Sequence, residues 1–69
     1  PMLVMSSADE DAMLDEIFEA MDTYCLDSYP KVVRYAKECH PEWRSIVYRK
    51  HPRAIAEYAK GLHYETKQG

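Results

Sequence analysis

Three prolines, Pro30, Pro41 and Pro52, recur at eleven-residue intervals, each directly after a ring-bearing residue: Tyr29, His40 and His51. Proline lacks a backbone N–H and fixes φ, so it suits the first turn of a helix, where that N–H has no partner anyway. It also pushes the residue before it out of the α region. The three segments that result, YPKVVRYAKEC, HPEWRSIVYRK and HPRAIAEYAKG, therefore read as short helices over 31–39, 41–50 and 52–60, with Tyr29, His40 and His51 as the breaks. An eleven-residue period could also mark a continuous right-handed supercoil, but prolines at that spacing favour interruption. RYAK at 34–37 and EYAK at 57–60 fall one position off a doubled period, so the pattern is punctuation and not a solenoid repeat.

Ahead of the prolines lies a longer periodic stretch. Met13, Leu14, Ile17, Phe18, Met21, Tyr24 and Cys25 recur at helical spacing and share one side. Asp15, Glu16, Glu19 and Asp22 occupy the other side, and Asp9, Glu10 and Asp11 sit in the first turn, where the helix dipole favours negative charge. Ser7 and Glu10 have the S-x-x-E spacing of a capping box. The expectation is an acidic amphipathic helix within 7–26, preceded by a loose end over residues 1–6. At the other end, Gly61 followed by Leu62 reads as a C′ glycine with its hydrophobic contact, closing the last helix and leaving 63–69 as a tail.

The apolar positions of the later helices are Val32, Val33, Ala36 and Cys39, then Trp43, Ile46 and Val47, then Ile55, Tyr58, Ala59 and Leu62. The fold expectation is thus all-α: a small single-domain helical bundle, with one long acidic helix packed across three short proline-started helices in a basic segment over 30–62. With 69 residues, a single core is only marginally sufficient, so a partner or a second copy of the chain is expected to add stability. The uncharged stretch from Pro1 to Ala8 is too short for a signal sequence or a membrane span. Cys25 and Cys39 lie on apolar faces and suggest buried thiols in a reducing compartment, so the expected location is cytoplasmic, with no membrane partner.

Charge is sorted along the chain. Eight carboxylates and no Lys or Arg occur up to Pro30, whereas all nine Lys and Arg follow it, alongside Glu38, Glu42, Glu57 and Glu65, for a net charge of −3. Such asymmetry points to a charged partner or to neutralisation between the halves. Once the core faces are removed, Arg34, Tyr35, Arg44, Tyr48 and Arg49 form the candidate partner-binding set, because interfaces favour adjacent arginine and tyrosine as hot spots. The bland alternative is a solvated helix face with incidental tyrosines. Asp15, Glu16, Glu19 and Asp22 form a secondary acidic surface, either a mimic of the phosphate array of nucleic acid, a docking face for a basic partner, or a charge complement inside the fold. Trp43 is expected as a core anchor.

Chemistry is less well served. Cys25, Cys39, His40, His51 and His63 fit no zinc spacing, so no metal is expected. The two glycines, Gly61 and Gly69, provide no phosphate-cradling loop, and Cys39 beside His40 lacks an orienting third group, so neither cofactor nor catalysis is expected. The sequence therefore favours a small non-enzymatic regulatory or inhibitory protein that binds a protein partner. Two alternatives stand beside it. The first is nucleic-acid binding by the basic half, with the short His40–Pro41 turn imitating a helix-turn-helix that lacks the usual glycine. The second is a self-assembling module, as small as a homodimer, in which the acidic helix of one copy faces the basic half of another.

Overall fold

The computed structural model describes the backbone from residue 7 to residue 68 and side chains from residue 8 to residue 65. The expected loose end at residues 1–6, the Ser7 side chain of the capping box and the terminal Gly69 lie outside the described residues. Those described are helical almost throughout, with no strand: α1 spans Ser7–Tyr24, α2 spans Tyr29–Cys39 and α3 spans Pro52–Gln68. Between α2 and α3, a 3₁₀ turn at Pro41–Trp43 runs into a π-helical segment at Ile46–Lys50. The architecture is the all-α arrangement expected from the periodicity.

The α1 terminus corrects two expectations. Cys25 does not continue the apolar face; it takes φ 54°, the left-handed conformation, and its side chain is exposed. The Leu26 N–H then donates to the Met21 carbonyl at 3.0 Å, closing the turn, and Leu26 folds into the core. This is the glycine-type helix ending with a hydrophobic residue after it, formed here by a cysteine. Tyr24, also expected on the apolar face, is 59% exposed, because the helix ends there and the chain turns away beneath it.

α2 begins earlier than expected. Tyr29 is its first residue and not the break; the break falls at Leu26–Ser28, where extended Ser28 (φ −154°, ψ 153°) accepts from the N–H groups of Lys31 and Val32 at 3.1 and 3.2 Å. Pro30 therefore occupies the second helical position, which likewise needs no N–H. His40 closes α2 by donating its N–H to the Ala36 carbonyl at 2.9 Å, and its own carbonyl accepts from the Trp43 N–H at 2.9 Å. Cys39, assigned to the apolar face, is exposed at this last turn.

The third helix is not a regular α-helix over 41–50. After the 3₁₀ start the ladder widens, and the His51 N–H reaches back five residues to the Ile46 carbonyl at 2.9 Å. At this widened turn, a single-turn π insertion, Trp43 and the adjacent pair Ile46 and Val47 are all buried. Around them close Ile17 and Met21 from α1, Leu26, Val32 and Ala36 from the α2 side, and Ile55 and Ala59 from α3, forming one core. Phe18 stacks on Tyr58 with ring centroids 4.4 Å apart, clamping α1 to α3.

α3 does not stop at residue 60. Gly61 has no positive φ, and the helix continues through it to Gln68, so the expected 63–69 tail is helical over its described part. Packing beyond the glycine holds the extra turns: Leu62 rests on the core and His63 Nδ1 lies 3.3 Å from Asp27 Oδ2. Nothing lies within 4 Å of where a Gly61 Cβ would sit. Gly61→Ala should therefore stabilise the fold by about 0.5–1 kcal/mol through helix propensity and a less disordered unfolded chain, raising Tm by roughly 2–8 °C. Thermal melting followed by helical circular dichroism checks this, and a lowered Tm would return Gly61 to a helix-ending role.

Candidate functional site

α2 and the 41–50 segment meet at a single residue, His40, and that tight junction gathers the basic side chains. Ala36 and Lys37 of α2 lie across from Pro41, Arg44 and Tyr48, together lining a cleft of about 250 Å³. Glu42, Arg44, Ser45, Tyr48 and Arg49 line a second, wider one of about 690 Å³. The two adjoin, since Arg44 and Tyr48 border both. Arg44 and Tyr48 are one turn apart in sequence, and Tyr48 remains 43% exposed although its neighbour Val47 is buried.

The five residues marked in the sequence do not form one surface. Arg44, Tyr48 and Arg49 come together. Arg34 and Tyr35 instead line a separate cleft of about 450 Å³ with Leu26, Pro30, Lys31, Glu38 and Cys39. Tyr35 is half-buried and packs against the core, in a chain of rings: 5.2 Å from Tyr24, 5.6 Å from His40 and 5.8 Å from Trp43. Partial burial, then its neighbour Tyr24, raises the Tyr35 phenol above its ordinary range. It is a wall of the fold more than an outward probe, and the sequence missed this because i, i+4 spacing alone does not show which neighbour a ring will meet. Lys37, which lines the first cleft, takes its place at the Arg44–Tyr48–Arg49 surface.

Among the described residues, the cations of that surface are not tied up within the fold, and the one carboxylate lining it, Glu42, is engaged with His40. Lys31 is held by Asp27 at 2.6 Å and Lys50 by Glu10 at 3.1 Å, the latter joining α1 to the π segment. Arg34, Lys37, Arg44, Arg49 and Arg53 make no ion pair among the described residues. Three of the four acidic-surface residues, Asp15, Glu16 and Glu19, are likewise exposed and without an ion pair there. Asp22 is structural: its carboxylate accepts the Tyr58 hydroxyl at 2.6 Å, and that bond pushes the Tyr58 phenol up to about 12. Asp27, between Lys31 and His63, is lowered from 3.8, chiefly by the Lys31 hydrogen bond and then by His63.

Trp43 is 3% exposed, as expected of a core anchor, and His40 stacks flat against it at 4.1 Å and 10°. His40 Nδ1 lies 2.9 Å from Glu42 Oε2, and this contact is the main cause lowering the Glu42 carboxyl. The H-P-E-W order gives the only sequence hint of this unit. Among the described residues no group of three or more His, Cys, Asp or Glu is placed to hold a metal, and no helix is long and apolar enough to cross a membrane.

What the basic surface can do is recognise anions with direction. Arginine presents a planar fork of donors suited to carboxylates, and an adjacent phenol adds contact area and a hydroxyl. In comparisons with known proteins, the chain matches no family model, no curated protein and no solved structure.

Proposed function

We propose that this chain is a small non-enzymatic binding module of regulatory or inhibitory type, docking on a carboxylate-rich surface of a protein partner. Arg44, Tyr48 and Arg49 are the central contacts, Lys37 borders them, and Arg34 extends the positive field on the far side of α2. The observation that supports this reading is the pair of adjoining clefts sharing Arg44 and Tyr48, rimmed by cations that the fold does not neutralise. Cations paired within a fold gain little from a partner. These are available to form charge-assisted hydrogen bonds, and their potential would steer an acidic partner on approach.

The reading is tested with Arg44→Glu combined with Tyr48→Ala. Both side chains are exposed, so the helical circular dichroism signal should persist while capture of a partner isolated from the native host falls by at least about tenfold, the loss of one hot spot of 1.4 kcal/mol or more. Retained capture would remove this face from the proposal. Duplex DNA retarded at low salt and released steeply as salt rises would replace the protein partner with a nucleic acid. Salt-sensitive sedimentation as an oligomer would replace it with self-assembly.

A further inference from the structure

On the side of the bundle where α1 ends, Glu16, Glu19, Ala20, Thr23 and Tyr24 meet His40 and Trp43 across an open cleft of about 230 Å³. The α1 residues are spaced 16, 19, 20, 23 and 24, one stripe of a helix. They bring two carboxylates and a ring to face the stacked His40–Trp43 pair. We infer that this cleft binds a basic peptide segment, its Arg or Lys cation held by Glu16 and Glu19 against the Tyr24 and His40 rings, and a peptide carbonyl accepting from the Trp43 indole.

Three observations carry it. First, the Trp43 indole N–H makes no hydrogen bond although the residue is nearly all buried. Among the described residues no sealed side-chain nitrogen or oxygen lacks a partner, so that N–H must reach solvent, and Trp43 lines this cleft. It is a fixed donor awaiting an acceptor. Second, Glu16 and Glu19 are exposed with no ion pair among the described residues, so the cleft offers acceptors awaiting a cation. Third, the last turn of α1 contains no basic residue to answer the negative end of its dipole, which lies beside Tyr24. Aromatic faces add attraction for a guanidinium or ammonium group. Trp43 with its solvent-reaching N–H, two carboxylates and rings line one cleft, and match the acceptor, cation and aliphatic stem of a basic residue in a peptide.

A single tryptophan allows a direct test, because the ¹⁵N-labelled protein shows one indole cross-peak. Titration with acetyl-Arg-Arg-amide should move that cross-peak saturably. Glu16→Gln with Glu19→Gln should weaken the affinity by about 3- to 30-fold, the effect of neutralising two exposed carboxylates, whereas Asp11→Asn with Asp15→Asn, off the cleft, should not. Arg44→Glu with Tyr48→Ala should also leave the titration unchanged, separating this site from the basic face. Several outcomes would overturn the inference: an unmoved indole, equal weakening by the Asp11 and Asp15 pair, or the same response to acetyl-Glu-Glu-amide. Movement on concentrating the protein without peptide would overturn it in favour of a second copy of the chain as occupant.

Discussion

Trp43→Ala is expected to lower the melting temperature by tens of degrees. The side chain is the largest in the core, 3% exposed, stacked on His40 at 4.1 Å and neighbouring Tyr35 at 5.8 Å. Removing a buried tryptophan side chain costs about 3–5 kcal/mol in transfer energy and residual cavity. Chains of this length have total stabilities of roughly 3–10 kcal/mol, so the substitution takes a third or more of what is available. Each kcal/mol moves Tm by about 4–8 °C at this size, and the melt should shift by tens of degrees. The loss should also spread, because Trp43 joins Tyr35 of α2 to the His40 junction and shares the core with Ile46 and Val47. Trp43→Phe, which keeps a ring in place, should retain more than half of the stability. Urea unfolding followed by circular dichroism at 222 nm reads both, and a loss below about 1 kcal/mol for the alanine variant, the level of an ordinary point mutation, would show that Trp43 is not the keystone of this core.

Particular elements show where reading the chain succeeded and where it stopped. The acidic helix was legible because its apolar residues repeat at 3.6 and its carboxylates fill the other side; the observed Ser7–Tyr24 ends within the span expected. The prolines marked all three later segments, since a missing N–H constrains the backbone whatever surrounds it. Two helix endings were exchanged. Gly61 looked like a terminator and is helical, while Cys25, a residue type that rarely takes positive φ, terminates α1. Propensity alone cannot decide such cases, because tertiary contacts of about 1 kcal/mol tip them. Leu26 reaching the core fixes the first, and Leu62 and His63 fix the second. The grouping of the candidate basic residues was only partly legible. Arg44, Tyr48 and Arg49 lie on one short segment and so share a surface, whereas Arg34 and Tyr35 were grouped with them across a junction whose angle no sequence pattern encodes. The Glu16–Trp43 cleft was invisible for the same reason, as its two walls, residues 16–24 and 40–43, lie sixteen or more residues apart in the chain.

Tyr29→Phe should cost about 1–3 kcal/mol, the penalty of leaving one buried acceptor unpaired, although it removes a single oxygen from a half-buried ring. The reason lies in the π segment. The His51 N–H is taken by the Ile46 carbonyl, five residues back. The next bond of that ladder would run from residue 52 to the carbonyl of Val47, but residue 52 is proline and has no N–H. The Val47 carbonyl, on a buried residue, is therefore orphaned by the same proline that begins α3. The Tyr29 hydroxyl supplies the missing donor at 2.5 Å, from eighteen residues away. Burial, then the nearby Tyr48, raises the Tyr29 phenol above its ordinary range, in keeping with a hydroxyl that must stay protonated to donate. The phenyl ring of the variant would still pack on the core, so the measured loss isolates the hydrogen bond. Tyr64→Phe is the matched control: at 60% exposure, it should change stability by less than about 0.5 kcal/mol. Urea midpoints for the two variants decide the matter. If they coincide, water reaches the Val47 carbonyl, and the π segment is held by Trp43, Ile46 and Val47 alone.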